Sequence, residues 1–268
     1  MNHSSNNPSN LSEQSAQNID QNTPSELMRL NQFVAKYLGV SRRQADQAIS
    51  NYQVLVNQES AVLGQKIDPQ NDVVEILGGG QRKLLEPESI KIQVIVFYKP
   101  IFCLTTRYDP QKRKTLYDFL PKNFHNLKPA GRLDYMSEGV LVMSNDGQVL
   151  DELCHPKNNH IKKYLVATAR PIDREFLEMA KTGNMEIDEY QINPVNIKKM
   201  SDHHLVEYDY LKINPDLNVY EFTLSEGRNN QIRKMMDMFG HRVTRLIRTQ
   251  QGDYKLTKEL FENRFVVS

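Results

Sequence analysis

The segment Gly131-Arg132-Leu133-Asp134-Tyr135-Met136-Ser137-Glu138-Gly139 sets a carboxylate and a cation between two glycines, just before the apolar run at residues 140–143. A carboxylate in such a loop could serve as acid, base or nucleophile, and the glycines would let the backbone turn tightly or approach a ligand. Taken singly, a loop aspartate is ordinarily a turn or cap residue. Asp146 reads that way, since Asn145-Asp146-Gly147 is a hairpin-turn signal. A second cluster, Glu226-Gly227-Arg228-Asn229-Asn230-Gln231-Ile232-Arg233-Lys234, leads into a helix whose Ile232, Met235, Met236 and Phe239 form one apolar stripe ended by Gly240. That spacing makes the methionines core residues. Arg233 stands beside the stripe, where a half-buried guanidinium would need an anionic partner, while Arg228 and Lys234 read as a solvated face. A third cluster, Lys162-Lys163-Tyr164, could hold phosphates and stack a base, although strand tyrosines more often pack.

Other chemistries find less support. Cys154, His155 and His160 lack a fourth metal ligand at a recognisable spacing, so no metal is expected. Cys103 and Cys154 are too few for a disulfide framework. No Gly-x-Ser-x-Gly elbow, dinucleotide fingerprint or Walker sequence is present. A glycoside hydrolase would need a second carboxylate across a sugar cleft, usually with aromatic platforms, and the chain has no tryptophan. Hydrophobic and charged contents of 39% and 25% and a mean hydropathy of -0.61 fit a soluble protein. No apolar run nears the roughly 20 residues that span a bilayer. The Ser- and Asn-rich start does not resemble a signal peptide, so a cytoplasmic location is expected. The net charge of +1 is unevenly spread, because residues 1–26 carry Glu13, Asp20 and Glu26 and no Lys or Arg.

The elements that must position these clusters can be read from periodicity. Residues 1–26 have too few apolar side chains to order and are expected to form a disordered tail. Leu30, Phe33, Val34, Tyr37 and Leu38 mark one helix, stopped by Gly39. A second begins after Ser41, which has a capping-box partner in Gln44, and a strand follows at residues 54–56. Gly78-Gly79-Gly80 is taken as a flexible joint, giving a first domain over 27–80, a linker over 81–89 and a second domain over 90–268. Strands are expected at 92–98, 140–143, 164–169 and 220–224. They outnumber the helices without a βαβ rhythm, so the fold class is α+β.

Five blocks in order then resemble the bacterial ribosomal RNA pseudouridine synthases that modify single uridines. They are Tyr98-Lys99-Pro100, Gly131-Arg132-Leu133-Asp134 with Ser137 and Gly139, Asn145-Asp146-Gly147, Lys163-Tyr164-Leu165-Val166, and Glu226 to Asn229 with Gln231-Ile232-Arg233. The first domain resembles the small alpha-L RNA-binding domain, on Arg29-Leu30-Asn31, Lys36 and Ser41-Arg42-Arg43-Gln44-Ala45-Asp46. A helix-turn-helix is the rival reading of its two helices, and the following strand favours alpha-L. Two positions depart from the pattern: Phe102 and Gln58 stand where the family usually has glycine.

The resemblance implies a mainly antiparallel mixed sheet flanked by helices, and an isomerase that needs no cofactor. It implies Asp134 as the catalytic aspartate nucleophile, Arg233 as the cation that keeps it ionised, and Tyr164 packed against the target base. Arg132 would fill the space left by an extruded nucleotide, with Lys163 and Arg228 on the RNA. Arg29, Lys36, Arg42 and Arg43 would grip RNA backbone, the last two at a helix start whose free N–H groups favour phosphate. The expected partner is ribosomal RNA or a pre-ribosomal particle, large-subunit RNA favoured on residues 245–248 and 252–254, with no membrane, and the expected state a monomer. Small-subunit RNA, transfer RNA, or a non-catalytic role in ribosome assembly are the alternatives.

Overall fold

A computed structural model describes residues 27–86 and 91–268. The expected tail, residues 1–26, and part of the expected linker, residues 87–90, lie outside the described residues. The described residues divide into two compact units, one formed by residues 27–33 with 42–86 and the other by residues 34–41 with 91–268. The division passes through the first helix.

The smaller unit contains β1 (Met28–Arg29), the start of α1 (Leu30–Leu38), α2 (Arg42–Ser50), β2 (Val54–Val56), β3 (Glu59–Ser60), β4 (Lys66–Ile67), β5 (Val74–Gly78) and β6 (Gln81–Leu84). Strands β3-β2-β5-β6 form an antiparallel sheet, and β1 pairs with β4. Leu30, Phe33, Ala45, Ile49, Val54, Ile67 and Val74 are buried, the helical ones at the spacing of one apolar face. The triple glycine is not a joint. Gly78 pairs with Gln81, and Gly79 and Gly80 take φ of +61° and +77°, the two left-handed residues that a tight β-hairpin requires. Residues 81–84, expected as linker, are therefore a paired strand.

The larger unit continues with β7 (Val94–Lys99), β8 (Lys128–Pro129), β9 (Glu138–Ser144), α3 (Gly147–Cys154), β10 (Lys162–Thr168), α4 (Arg174–Thr182), β11 (Glu186–Ile187), β12 (Tyr190–Gln191) and β13 (Asn196–Lys199). It ends with α5 (Asp202–Leu205), β14 (Asn218–Leu224), α6 (Gln231–Met238), β15 (Val243–Gln251), β16 (Tyr254–Lys255), α7 (Lys258–Asn263) and β17 (Phe265–Val267). Its sheet runs β13-β14-β10-β15-β9-β7-β17, with β8 on β9 and β16 on β15. All of these pairs are antiparallel except β15 with β9, so the mixed, mainly antiparallel sheet implied by the sequence is present. Alternate strand residues feed two cores. Phe97, Leu141, Tyr164, Val166 and Phe222 pack with Phe176 of α4 and Met235 and Met236 of α6. Tyr98, Val140, Leu165, Val219 and Ile247 pack on the other side with Leu260 of α7. Burial on both faces explains why residues 140–143 are continuously apolar.

Asp146 does not sit in a hairpin turn. It caps α3, accepting from the N–H groups of Gln148 (2.8 Å) and Val149 (3.3 Å). Both glycine-position departures keep a glycine-like backbone: φ is +71° at Gln58 and +57° at Phe102. Among the described residues no helix is long and apolar enough to cross a membrane.

Candidate active site

Asp134 lies on the loop between β8 and β9, which starts at Gly131 with φ of +79° and closes where the Ser137 N–H donates to the Asp134 carbonyl at 3.0 Å. Three side chains hold this loop by its backbone, Thr105, Lys99 and, from behind, Arg233. The Thr105 hydroxyl donates to the Leu133 carbonyl (2.8 Å) and accepts from the Leu133 N–H (3.3 Å). Lys99, fully buried at the end of β7, donates to the carbonyls of Ser137 (2.7 Å), Asp134 (3.0 Å) and Pro100 (3.0 Å). All three ammonium hydrogens are thus used on backbone around Asp134. Burial lowers the Lys99 pKa from 10.5 to about 8, against the upward pull of Cys103, Asp134 and Glu138. The Asp134 carboxylate itself takes no hydrogen bond from a described residue, so its lone pairs are open to a ligand.

Two further features set the loop's height over the sheet. Gly139 pairs in parallel with Arg248 at φ of +114°, and a β-carbon there would fall 2.2 Å from the Arg248 carbonyl oxygen. Only glycine lets β9 approach β15 so closely. On the other side of the sheet Glu138 accepts from the Tyr98 hydroxyl and from Arg245 Nε (2.7 Å), and Arg245 also donates to the Leu211 carbonyl (2.6 Å). That network anchors the first residue of β9.

Asp134 borders a cleft of about 530 Å³ that also takes in Arg132, Lys162, Tyr164, Glu226, Arg228, Arg248 and Gln251. Tyr164 is nearly buried, in the middle of β10 between Phe222 of β14 and Arg248 of β15. Strand alternation puts Lys162 on the cleft with Tyr164 and sends Lys163 away, to an ion pair with Glu221 at 3.3 Å. Burial, with Arg248 nearby, pulls the Lys162 pKa down, and Cys154 and Glu226 oppose it.

A β-bulge completes this wall. The β10–β15 register passes from Lys163↔Gln250 to Tyr164↔Arg248, leaving Thr249 as the extra residue. Regular alternation would turn residues 248 and 251 to opposite faces. With the bulge both line the cleft, and Arg248 Nη2 donates to Gln251 Oε1 at 3.1 Å. Arg248 Nε donates to the Val140 carbonyl (2.7 Å), and Gln251 Nε2 to the Ala130 carbonyl (2.7 Å). Arg248 is buried without a carboxylate partner among the described residues. Four cations therefore line the cleft, Arg132, Lys162, Arg228 and Arg248, against the carboxylates of Asp134 and Glu226. Such a balance favours an anionic ligand.

The rim is set from α6 and the segment before it. Glu226 accepts from Gln231 Nε2 (2.6 Å), from the Asn193 N–H (3.0 Å) and from Arg228 Nε (3.3 Å). Arg228 also stacks over Tyr190 of the β11–β12 hairpin at 4.5 Å. Arg132 reaches Asn229 Oδ1 at 3.5 Å. Arg233 does not line the cleft. Its guanidinium donates behind the loop to the carbonyls of Met136 (2.9 Å) and Val243 (3.4 Å), and its buried Nε has no hydrogen-bond partner among the described residues. Burial lowers the Arg233 pKa, and the charges of Asp134 and Asp237 oppose that. Asp134 and Arg233 interact through their fields without a direct ion pair.

In the smaller unit Arg29, Arg42 and Arg43 are exposed, Arg42 within 3.5 Å of Asn31 Oδ1. Lys36, on the part of α1 that belongs with the larger unit, pairs with Asp146 at 2.6 Å. Sequence reasoning missed Lys99, Arg248 and Gln251 as site residues, and from the Lys162-Lys163 pair it carried forward Lys163, the one turned away from the cleft. Strand parity with Tyr164 would have found Lys162. Nothing local announces the bulge. Among the described residues no three His, Cys, Asp or Glu side chains gather as a metal site.

Comparison with known proteins identifies the family. Residues 93–238 match the family described as RNA pseudouridylate synthase, and residues 28–74 match the S4 domain. The chain is 30% identical over 233 residues to the ribosomal large subunit pseudouridine synthase B of Pasteurella multocida, covering 87% of this chain and 64% of that one. To the dual-specificity RNA pseudouridine synthase RluF of Escherichia coli K12 it is 30% identical over 228 residues, 85% of this chain and 71% of that one. A crystal structure of a pseudouridylate synthase superposes with a TM-score of 0.59 at 27% identity, covering 90% of this chain and 96% of that one. The matched segment runs through the Asp134 loop and α6 and covers more than half of the sequence, so this chain belongs to the RNA pseudouridylate synthase family of isomerases.

Proposed function

We propose that the chain converts a specific uridine of large-subunit ribosomal RNA to pseudouridine, with Asp134 as the catalytic carboxylate. The observation that carries this is the Asp134 loop: its backbone is pinned by Lys99 and Thr105 while its carboxylate stays unengaged at the cleft. A nucleophile needs that combination of fixed position and free lone pairs. The cleft volume suits a nucleotide-sized ligand, and its cations suit the flanking phosphates. In the reaction Asp134 attacks C1′ as N1 leaves, the uracil turns within the cleft, and C5 displaces the carboxylate from C1′. The C5 proton is lost and N1 gains one, so nothing is added or removed overall and no cofactor is called for. Tyr164 packs against the base, Arg132 fills the gap left by extrusion, and Arg233 favours the ionised carboxylate from behind the loop.

Residues 27–86 act as an RNA-holding domain through Arg29, Arg42 and Arg43, and residues 91–268 as the catalytic domain; Lys36, tied to Asp146, and Lys163, tied to Glu221 away from the cleft, are assigned no RNA contact. The preference for the large subunit rests on the relative named for it, and the dual-specificity relative makes a second RNA class the alternative. The chain is taken to act as a monomer, and the composition supports a cytoplasmic one.

The test is pseudouridine mapping of large-subunit, small-subunit and transfer RNA from a deletion strain carrying the wild-type gene or Asp134→Asn. The wild type should restore one or a few large-subunit sites and the variant none, while the purified variant still binds the same RNA. Wild-type modification by Asp134→Asn would sink the catalytic assignment, and restoration only in another RNA would sink the substrate assignment.

A further inference from the structure

Phe102 and Tyr135 form an edge-to-face pair, with ring centroids 5.6 Å apart, and Tyr135 is the residue after Asp134. Phe102 is 52% exposed and its backbone sits at φ of +57°, which glycine adopts freely and a residue with a β-carbon does not. The backbone shape has a purpose, since the Phe102 N–H donates to the Tyr135 carbonyl at 2.7 Å and so braces the Asp134 loop. The ring contributes nothing to that bond. A phenylalanine here strains the backbone and exposes apolar surface, and burial offsets neither. Met136, Ile101 and Tyr108 are exposed in the same segments.

The adjoining loop is closed at its base by the bridge between Leu104 and Thr115. It carries exposed Arg107, Lys112, Arg113 and Lys114 and a single acid, Asp109, which Arg113 already holds. Arg113 lies 5.8 Å from the Tyr135 ring centre, and Arg107 lies 4.7 Å from that of Tyr117. Tyr117 is buried, but exposed Phe102 and Tyr108 among these cations suit a single-stranded nucleic acid, whose bases stack while its phosphates meet the charges. A protein-binding core would instead be depleted in charge.

We infer that Phe102 and Tyr135 form a stacking platform for an unpaired nucleobase next to the target uridine, and that Arg107, Lys112, Arg113 and Lys114 hold the phosphates of the same strand. The inference rests on the RNA-modifying role proposed for the cleft.

The chain has no tryptophan, so Phe102→Trp places one indole at the platform. The full-length variant is titrated with a labelled short single-stranded RNA and with an abasic strand of the same length, binding being followed by anisotropy of the label. Base-bearing RNA should quench the indole, and the abasic strand should bind without quenching. Phe102→Gly, which suits the backbone and should melt no lower than wild type, should bind the base-bearing strand about 5- to 100-fold more weakly and the abasic strand equally. Equal quenching by both strands, no quenching by the base-bearing one, or Phe102→Gly affinity within about 2-fold of wild type would overturn the platform. Neither readout involves turnover. Failure here with Asp134-dependent conversion intact removes only the platform, and base-dependent quenching with Asp134-independent conversion removes only the catalytic assignment.

Discussion

Lys99→Met replaces a buried ammonium by an apolar chain of similar reach and so separates what Lys99 does for stability from what it does for Asp134. In the native protein the ammonium supplies three charge-assisted hydrogen bonds, to Pro100, Asp134 and Ser137. Methionine leaves the Ser137 carbonyl buried without a donor, at a cost of about 1–3 kcal/mol, while the part-buried Pro100 and Asp134 carbonyls recover some hydration. Against this, the variant no longer buries a charge. The fall of the Lys99 pKa from 10.5 to about 8 corresponds to roughly 3 kcal/mol at about 1.4 kcal/mol per pH unit. The two terms nearly cancel, so net stability should change by no more than about 2 kcal/mol. Turnover should not be spared. A loop freed to shift by about 1 Å costs on the order of 100-fold, visible as a lower kcat with KM little changed. The assay is release of tritium from C5-labelled uridine in a ribosomal RNA transcript, under single-turnover conditions. A kcat within about 3-fold of wild type would refute the positioning role. The pH dependence supplies a second check. Because the folded-state pKa lies below the unfolded one, the folded chain binds fewer protons between pH 8 and 10.5, so the Lys99 contribution to stability rises with pH through that window. Urea midpoints of wild type relative to Lys99→Met should therefore increase from pH 8 upward, and a flat or falling difference would contradict the burial.

The Gly139→Ala variant should lose at least about 3 kcal/mol of stability or fail to fold, because its β-carbon would overlap the Arg248 backbone at positive φ; a thermal melt within a few degrees of wild type would show that β9 and β15 can separate there. Lys162→Gln should lower kcat/KM on ribosomal RNA by about 10-fold or more, whereas Lys163→Gln, which loses only a half-exposed pair with Glu221, should change it less than about 3-fold; the reverse order would contradict the strand parity at Tyr164.

Local patterning was enough for most of the elements and for the family to which the chain belongs. The stripe at Ile232, Met235 and Met236 and the apolar runs of β7 and β9 are periodic signals that tertiary contacts had no reason to override. Asp134, Tyr164 and Arg132, which the sequence offers as site residues, line one cleft. Tertiary structure decided what depends on contact between distant segments. Gly78-Gly79-Gly80 reads alike as a joint or a hairpin until β6 pairs with β5, and Asn145-Asp146-Gly147 reads alike as a turn or a helix cap until α3 forms behind it. Phe102 takes a left-handed backbone that no local rule assigns to phenylalanine, because its N–H meets the Tyr135 carbonyl. Lys99 finds its three carbonyls more than thirty residues away in two of three cases. The extra residue at Thr249 turns Arg248 and Gln251 onto one wall against the alternation that their spacing predicts. Periodicity reports which face a residue takes within its own element, whereas register, bulges and buried donor–acceptor pairs are fixed only when separate elements satisfy one another's hydrogen bonds.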